Sequence, residues 1–211
     1  MSDTSLQPSG PGRPKDLAKR EAILAAAKCL FVRHGYAGSS MDAIAAHAGV
    51  SKLTVYSHFT DKETLFCAAV KARCEEQLPE LFFEFPAGAS AHNVLLNIAR
   101  GFSQLLNSSE SVELHRLMTS LGAQDPQLAK IFYEAGPQRL LAEMECLLGK
   151  MDQSGQLRIE SPKLAADQFF SLLKGGANFR LLIGCGEPET EAQQEQHARA
   201  TVEMFLRAYR P

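Results

Sequence analysis

No stretch of the 211 residues holds eighteen consecutive apolar side chains, so the sequence predicts no membrane-crossing helix and no membrane partner. The first twelve residues, MSDTSLQPSGPG, lack the apolar core of a secretory signal. They are polar and rich in chain breakers, and they read as a disordered tail. Cysteine is sparse and shows no pairing pattern: Cys29, Cys67, Cys74, Cys146 and Cys185 are odd in number and scattered, with no C-x-x-C. That argues against a disulfide framework or a structural zinc site and fits a reducing cytoplasm. His92, His115 and His197 stand far apart, without metal-ligand spacing. No nucleophile or acid–base pair occupies a catalytic motif, so neither an enzyme nor a cofactor is expected. Internal repeats and sustained period-two alternation are also missing, which leaves no convincing strand.

Excess positive charge is lacking too. A net charge of −2 and a pI near 6.3 exclude a protein that coats nucleic acid through bulk charge. The distribution is uneven, however. Residues 1–62 carry eight Lys/Arg against five Asp/Glu, and the remainder carries fourteen against nineteen. A basic head on an acidic body suggests that only the head meets a polyanion.

What is present is helix. With 45% apolar residues the chain can build a core without staples. From Asp16, the apolar residues Ile23, Ala27, Leu30 and Phe31 share one helical face, and Gly35 stops that helix. Ser39 and Asp42 have capping-box spacing and open a short second helix ending near Ala48. After Gly49, Ser51 caps a third helix to about Phe59. Asp61 caps a fourth, running from Lys62 to about Glu84, with Pro79 kinking or ending it. Further helices are expected at 90–107, 111–123, 126–149 (broken at Gly136-Pro137), 162–184 and 190–209. The class is all-α with about nine helices. The expected domains are a tail over 1–12, a helix-turn-helix over 13–60, and a helical body over 61–211.

Two short helices joined at a glycine, the second with a hydroxyl cap, have the form of a helix-turn-helix. Ala45 places a small side chain where the helices cross, and Val50, Val55 and Phe59 anchor the second helix. Lys52, Leu53, Thr54, Tyr56, Ser57 and His58 are left for the outer surface. In such a motif the second helix enters the major groove, N-terminus first. Lys52 and Thr54 then reach base edges and Leu53 a thymine methyl, while Tyr56, His58 and Lys62 sit nearer phosphates.

The run FVRHGYAGSSMDAIAAHAGVSKLTVYSHFTDKETLF resembles the DNA-binding region of the TetR family of bacterial transcription regulators. The shared features are His34-Gly35-Tyr36, Ser39-Ser40, Asp42-Ala43-Ile44-Ala45, Ala48-Gly49-Val50-Ser51-Lys52, Thr54-Val55-Tyr56, His58-Phe59 and Lys62-Glu63. The resemblance implies that Ser39, Ser40, Lys52, Leu53, Thr54, Tyr56, Ser57, His58 and Lys62 contact double-stranded DNA. Arg13 and Lys15, on a flexible arm before the first helix, follow the minor groove or phosphates. Leu53 occupies a position where many relatives carry a hydrogen-bonding side chain, which favours an apolar contact there.

Farther on, FYEAGP at Phe132–Pro137 and the surrounding residues resemble the subgroup with an AefR-like C-terminal domain. Thr119–Leu121 depart from that pattern where relatives often carry an acidic residue. The resemblance implies a homodimer, an inverted-repeat operator and a small-molecule effector, most often for a repressor of an efflux or detoxification operon. Phe169, Leu172, Leu173, Gly176, Phe179, Val202, Phe205 and Leu206 are the expected dimer interface. The effector pocket is expected among Phe82, Phe83, Phe102, Leu106, Met118, Leu121 and Phe132, with His115, Gln104, Arg116 and Asn178 as its polar groups. The fourth helix, touching DNA at Lys62 and the pocket at Phe82, is the expected lever. A redox sensor based on Cys67 and Cys74 is the alternative; seven residues apart on a helix, they lie about 10 Å apart, too far for a mutual disulfide.

Overall fold

The computed structural model describes residues 13–122 and 125–211, and of residues 13–16, 77, 81 and 121 it describes the backbone alone. The expected tail over 1–12 lies outside the described residues. These are organised into ten α-helices and one 3-10 turn, without a strand among them. The helices are α1 (Arg13–Gly38), α2 (Met41–His47), α3 (Lys52–His58), α4 (Lys62–Gln77), α5 (Ala91–Asn107), α6 (Ser109–Leu121), α7 (Pro126–Ala135), α8 (Pro137–Gln153), α9 (Pro162–Leu182) and α10 (Glu191–Ala208), with the 3-10 turn at Glu80–Phe83. The chain divides into two compact units between Ala69 and Val70.

The first unit is built from local rules. Ile23, Ala27 and Phe31 of α1 are buried with Ile44, Val55, Phe59, Leu65 and Phe66. Phe66 meets Phe31 and Tyr36 edge-on, at 5.1 and 5.2 Å between ring centroids. Gly35 breaks α1 at φ 70°, a backbone that a β-carbon disfavours. The cap of α2 is Ser40, whose hydroxyl accepts from Ala43 N–H, and not Ser39. Ser39 is 3% exposed, and its hydroxyl donates to the carbonyls of Leu30 and Gly35 at 3.0 and 2.8 Å. Both carbonyls lie beside the break of α1 at Gly35, and there the buried hydroxyl finds its partners. α2 closes with a Schellman pair: Val50 N–H to Ala45 O, Gly49 N–H to Ala46 O, and Gly49 at φ 66°.

The second unit has its own core, in which Leu95, Ile98, Met144, Leu147, Leu148, Phe169 and Phe205 are fully buried or nearly so. α4 stops at Gln77, short of the expected reach to Glu84, and Pro79 opens the 3-10 turn in its place. Gly136 separates α7 from α8, and this break brings the helix count to ten. A β-carbon on Gly136 would stand 3.0 Å from Val70 Cγ1 and 3.4 Å from Cys74 Sγ, so the break lies directly against α4. Arg139 of α8 ties Glu75 of α4, Glu80 of the turn and Glu143 together, at 3.0, 2.8 and 3.0 Å. Arg73 of α4 pairs with Glu110 of α6 at 2.9 Å. α9 kinks at Gly175 (φ 54°), and His197 Nε2 lies 3.1 and 3.2 Å from the freed carbonyls of Leu172 and Leu173. Arg100 pairs with Glu195 of α10 through two short hydrogen bonds, which hold the Glu195 carboxyl down to about 2.

Candidate nucleic-acid interface and ligand cavity

Val55 is fully buried and Phe59, just past the end of α3, nearly so; these two anchor the helix. Its remaining side chains face outward: Lys52, Leu53, Tyr56 and Ser57 are exposed, and Thr54 and His58 are half-buried. Leu53 is 81% exposed, the most open large apolar side chain described. Ser51 caps the helix by accepting from Thr54 N–H at 3.1 Å and shares a 2.8 Å hydroxyl contact with Thr54. Ser57 Oγ donates to Thr54 O at 2.7 Å. Lys52 Nζ lies 2.8 Å from Asp42 Oδ1, and the hydrogen bond to this carboxylate raises the lysine's pKa. Asp42 thus fixes Lys52 at the N-terminal end of α3.

Four expected DNA contacts differ in placement. Ser39 is buried, as described above. The ammonium of Lys62 points inward, donating to Tyr36 O at 2.9 Å and Ser39 O at 3.2 Å and lying 4.3 Å from the Tyr36 ring centroid. It completes the end of α1, where carbonyls lack helical partners, so it is no free phosphate cation. Arg13 and Lys15 stand in the first turn of α1 and not on an arm before it; their side chains lie outside the described residues. Ser40 is exposed, but its hydroxyl is the α2 cap.

The second unit holds a partly open cavity of about 220 Å³. Phe102, Leu106, His115 and Phe132, all expected there, line it together. The other expected lining residues stand elsewhere. Phe82 and Phe83 join the core because the 3-10 turn directs them there. Met118 is buried away from the cavity. Gln104 lines a polar groove with Arg100 and Glu195, and Asn178 a polar recess with Asn107 and His197. Arg116 donates to the carbonyls of Leu181 and Leu182, closing the end of α9. The side chain of Leu121 lies outside the described residues.

Sequence reasoning missed Val70, Arg73 and Cys74 of α4, which form one wall, and Phe170 of α9 opposite Phe102 at 4.5 Å. No local signal marks them, since they become a wall only when α4 meets α6, α7 and α9. Burial pushes the Cys74 thiol up to about 11, so it stays protonated near neutrality. His115 stands edge-on to Phe132 at 5.5 Å, with Nδ1 2.7 Å from Ser111 O. Burial, aided by the Lys174 charge, holds its imidazole below the ordinary value.

The expected dimer residues separate into two sets. Phe169, Leu173, Val202 and Phe205 are buried in the core of this subunit, because they face α5, α8 and each other across α9 and α10. Leu206 packs on that core. Leu172, Gly176 and Phe179 face outward, together with Ile183 of α9's end and Met204 of α10.

Residues 23–69 match the family described as bacterial regulatory proteins, tetR family, and residues 93–211 match the AefR-like transcriptional repressor C-terminal domain. The HTH-type transcriptional regulator YdeS of Bacillus subtilis is 28% identical over 82% of this chain and 82% of its own. A TetR-family regulator from Mesorhizobium loti is 33% identical, with a TM-score of 0.75 over 93% of this chain and 99% of the other. The flavonoid-responsive regulator FrrA is 32% identical, with a TM-score of 0.67 over 92% and 97%. No helix among the described residues is long and apolar enough to cross a membrane.

Proposed function

The chain belongs to the TetR family, as a DNA-binding transcriptional regulator and not an enzyme, and from that premise we propose that it is a repressor: a homodimer on an inverted-repeat operator, released by a small apolar or amphipathic molecule. The outward face of α3 carries this reading. Val55 and Phe59 anchor it from one side, which turns Lys52, Leu53 and Thr54 toward base edges and Tyr56, Ser57 and His58 toward phosphates in the proposed complex. Arg13 and Lys15, in the first turn of α1, are proposed as further phosphate contacts.

The apolar row Leu172, Phe179, Ile183 and Met204, with Gly176 permitting close approach, is the proposed dimer face. A dimer on an inverted repeat needs its recognition helices about 34–36 Å apart, one turn of DNA. The cavity is the proposed effector site, and the relative FrrA, named as flavonoid-responsive, supports a small-molecule trigger. Release is then a population shift: the ligand binds better to the arrangement whose heads are wrongly spaced. A hundredfold release requires about 2.7 kcal/mol of coupling. α4 is the proposed transmitter, since Val70, Arg73 and Cys74 wall the cavity on the same helix that starts at Lys62. The raised Cys74 pKa removes support from a thiol-based sensor. A cytoplasmic location and control of an efflux or detoxification operon complete the proposal.

The test is fluorescence anisotropy of DNA from the gene's own upstream region, with random competitor, at two salt concentrations. Tight binding that survives competitor, with two chains per inverted repeat, is expected. Equal displacement by random DNA would overturn operator recognition at that site.

A further inference from the structure

The cavity of the second unit constrains its occupant by size, by its aromatic lining and by one unmatched polar group. An apolar cavity of about 150 Å³ holds one benzene ring. At about 220 Å³, this one has room for a ring with substituents or for two fused rings. Its lining is aromatic: Phe102 and Phe170 pack at 4.5 Å between ring centroids, and His115 and Phe132 at 5.5 Å.

The unmatched polar group is an acceptor. Ser111 O can only accept, so the 2.7 Å contact fixes the proton on His115 Nδ1 and leaves Nε2 with its lone pair. A second proton on the ring is disfavoured by burial and by the Lys174 ammonium. Arg73 and Lys174 are the cations lining the cavity, and Asp167 is its carboxylate. Arg73 Nη1 and Nη2 are taken by Glu76 at 3.2 Å and Glu110 at 2.9 Å, while its buried Nε has no hydrogen-bond partner. Two carboxylates already balance the guanidinium and its Nε is closed off from the cavity, so an acid such as a fatty acid gains little from Arg73.

We propose that this cavity takes a small hydroxylated aromatic compound of one ring or two fused rings. Its hydroxyl donates to His115 Nε2. The proposal deepens the effector reading above and rests on it for its regulatory meaning. A three-ring flavonoid is larger than the cavity volume favours, so the proposal expects this chain to differ from FrrA in ligand size.

Titration calorimetry on the full-length protein without DNA tests it with four probes: 4-hydroxyacetophenone, its methyl ether, octanoate and the flavanone naringenin. The hydroxyl compound is expected to bind once per chain. The ether should bind at least about tenfold more weakly, since it leaves the acceptor unmatched. Octanoate and naringenin should bind more weakly still. His115→Phe should bring phenol and ether within about twofold of each other, and His115→Gln, which keeps an acceptor, should restore part of the preference. Equal binding of the ether, tighter binding of octanoate or naringenin, or no binding of the hydroxyl compound overturns the proposal, each with wild-type protein alone. The operator assay is separate. DNA binding without the phenol preference removes this inference only, and the preference without DNA binding removes the regulatory reading only.

Discussion

Replacing Lys62 with methionine separates two roles for one ammonium. Its Nζ donates to Tyr36 O and Ser39 O at 2.9 and 3.2 Å and lies 4.3 Å from the Tyr36 ring centroid. Methionine keeps the apolar stem and removes only the charge and its donors. Hydrogen bonds to charged groups contribute about 1.5–3 kcal/mol each, and a cation over an aromatic face about 0.5–1 kcal/mol near the surface. One half-buried ammonium supplies all three contacts, so simple addition overcounts. A loss of about 2–3 kcal/mol is expected, read as a lower urea midpoint by circular dichroism at unchanged slope. The second readout is the salt dependence of operator binding. An ammonium committed to carbonyls leaves the slope of log K against log salt unchanged. A phosphate contact in each of two subunits would make it shallower by about two. An unchanged midpoint together with that shallower slope would refute the inward placement.

Three further outcomes are expected. Leu53→Gln should leave stability within about 0.5 kcal/mol, because the side chain is 81% exposed, but shift preference at one base pair per half-site in competition binding; unchanged preference would remove Leu53 from the reading surface. Phe179→Asp, at a position 62% exposed, should convert dimer to folded monomer in sedimentation, and a persistent dimer would move the interface elsewhere. His115 has a folded pKa below the ordinary imidazole value of about 6.5, first through burial, so the unfolded chain binds its proton more readily. Its contribution to stability is full above that value, falls as pH drops through it toward the folded pKa, and is flat below. Between pH 7.5 and 5.5 the wild type should therefore lose more stability than His115→Gln; equal losses would refute the neutral, buried imidazole.

The recognition half was legible because its signals are local. Gly49, the Ser51 and Asp61 caps and the buried Val55 and Phe59 each act within a few residues, and the helix-turn-helix follows from their spacing. The break at Gly136-Pro137 was legible for the same reason. Ser39 and Ser40 show where local reading ends: two adjacent serines, of which the approach of α1 alone decides that one is buried against Leu30 O and the other caps α2. α9 carries apolar residues on both sides, so periodicity could not assign Phe169 to the core and Phe179 to the outside. Packing on α8 and α10 and the kink at Gly175 made that division. The cavity is the clearest case. Arg73 is an ordinary surface arginine in sequence; Glu76 and Glu110 take two of its nitrogens and burial strands the third. A wall drawn from α4, α5, α6, α7 and α9 exists only after those helices meet. Side-chain type is written in the sequence, but which neighbour remains unsatisfied is set by long-range packing.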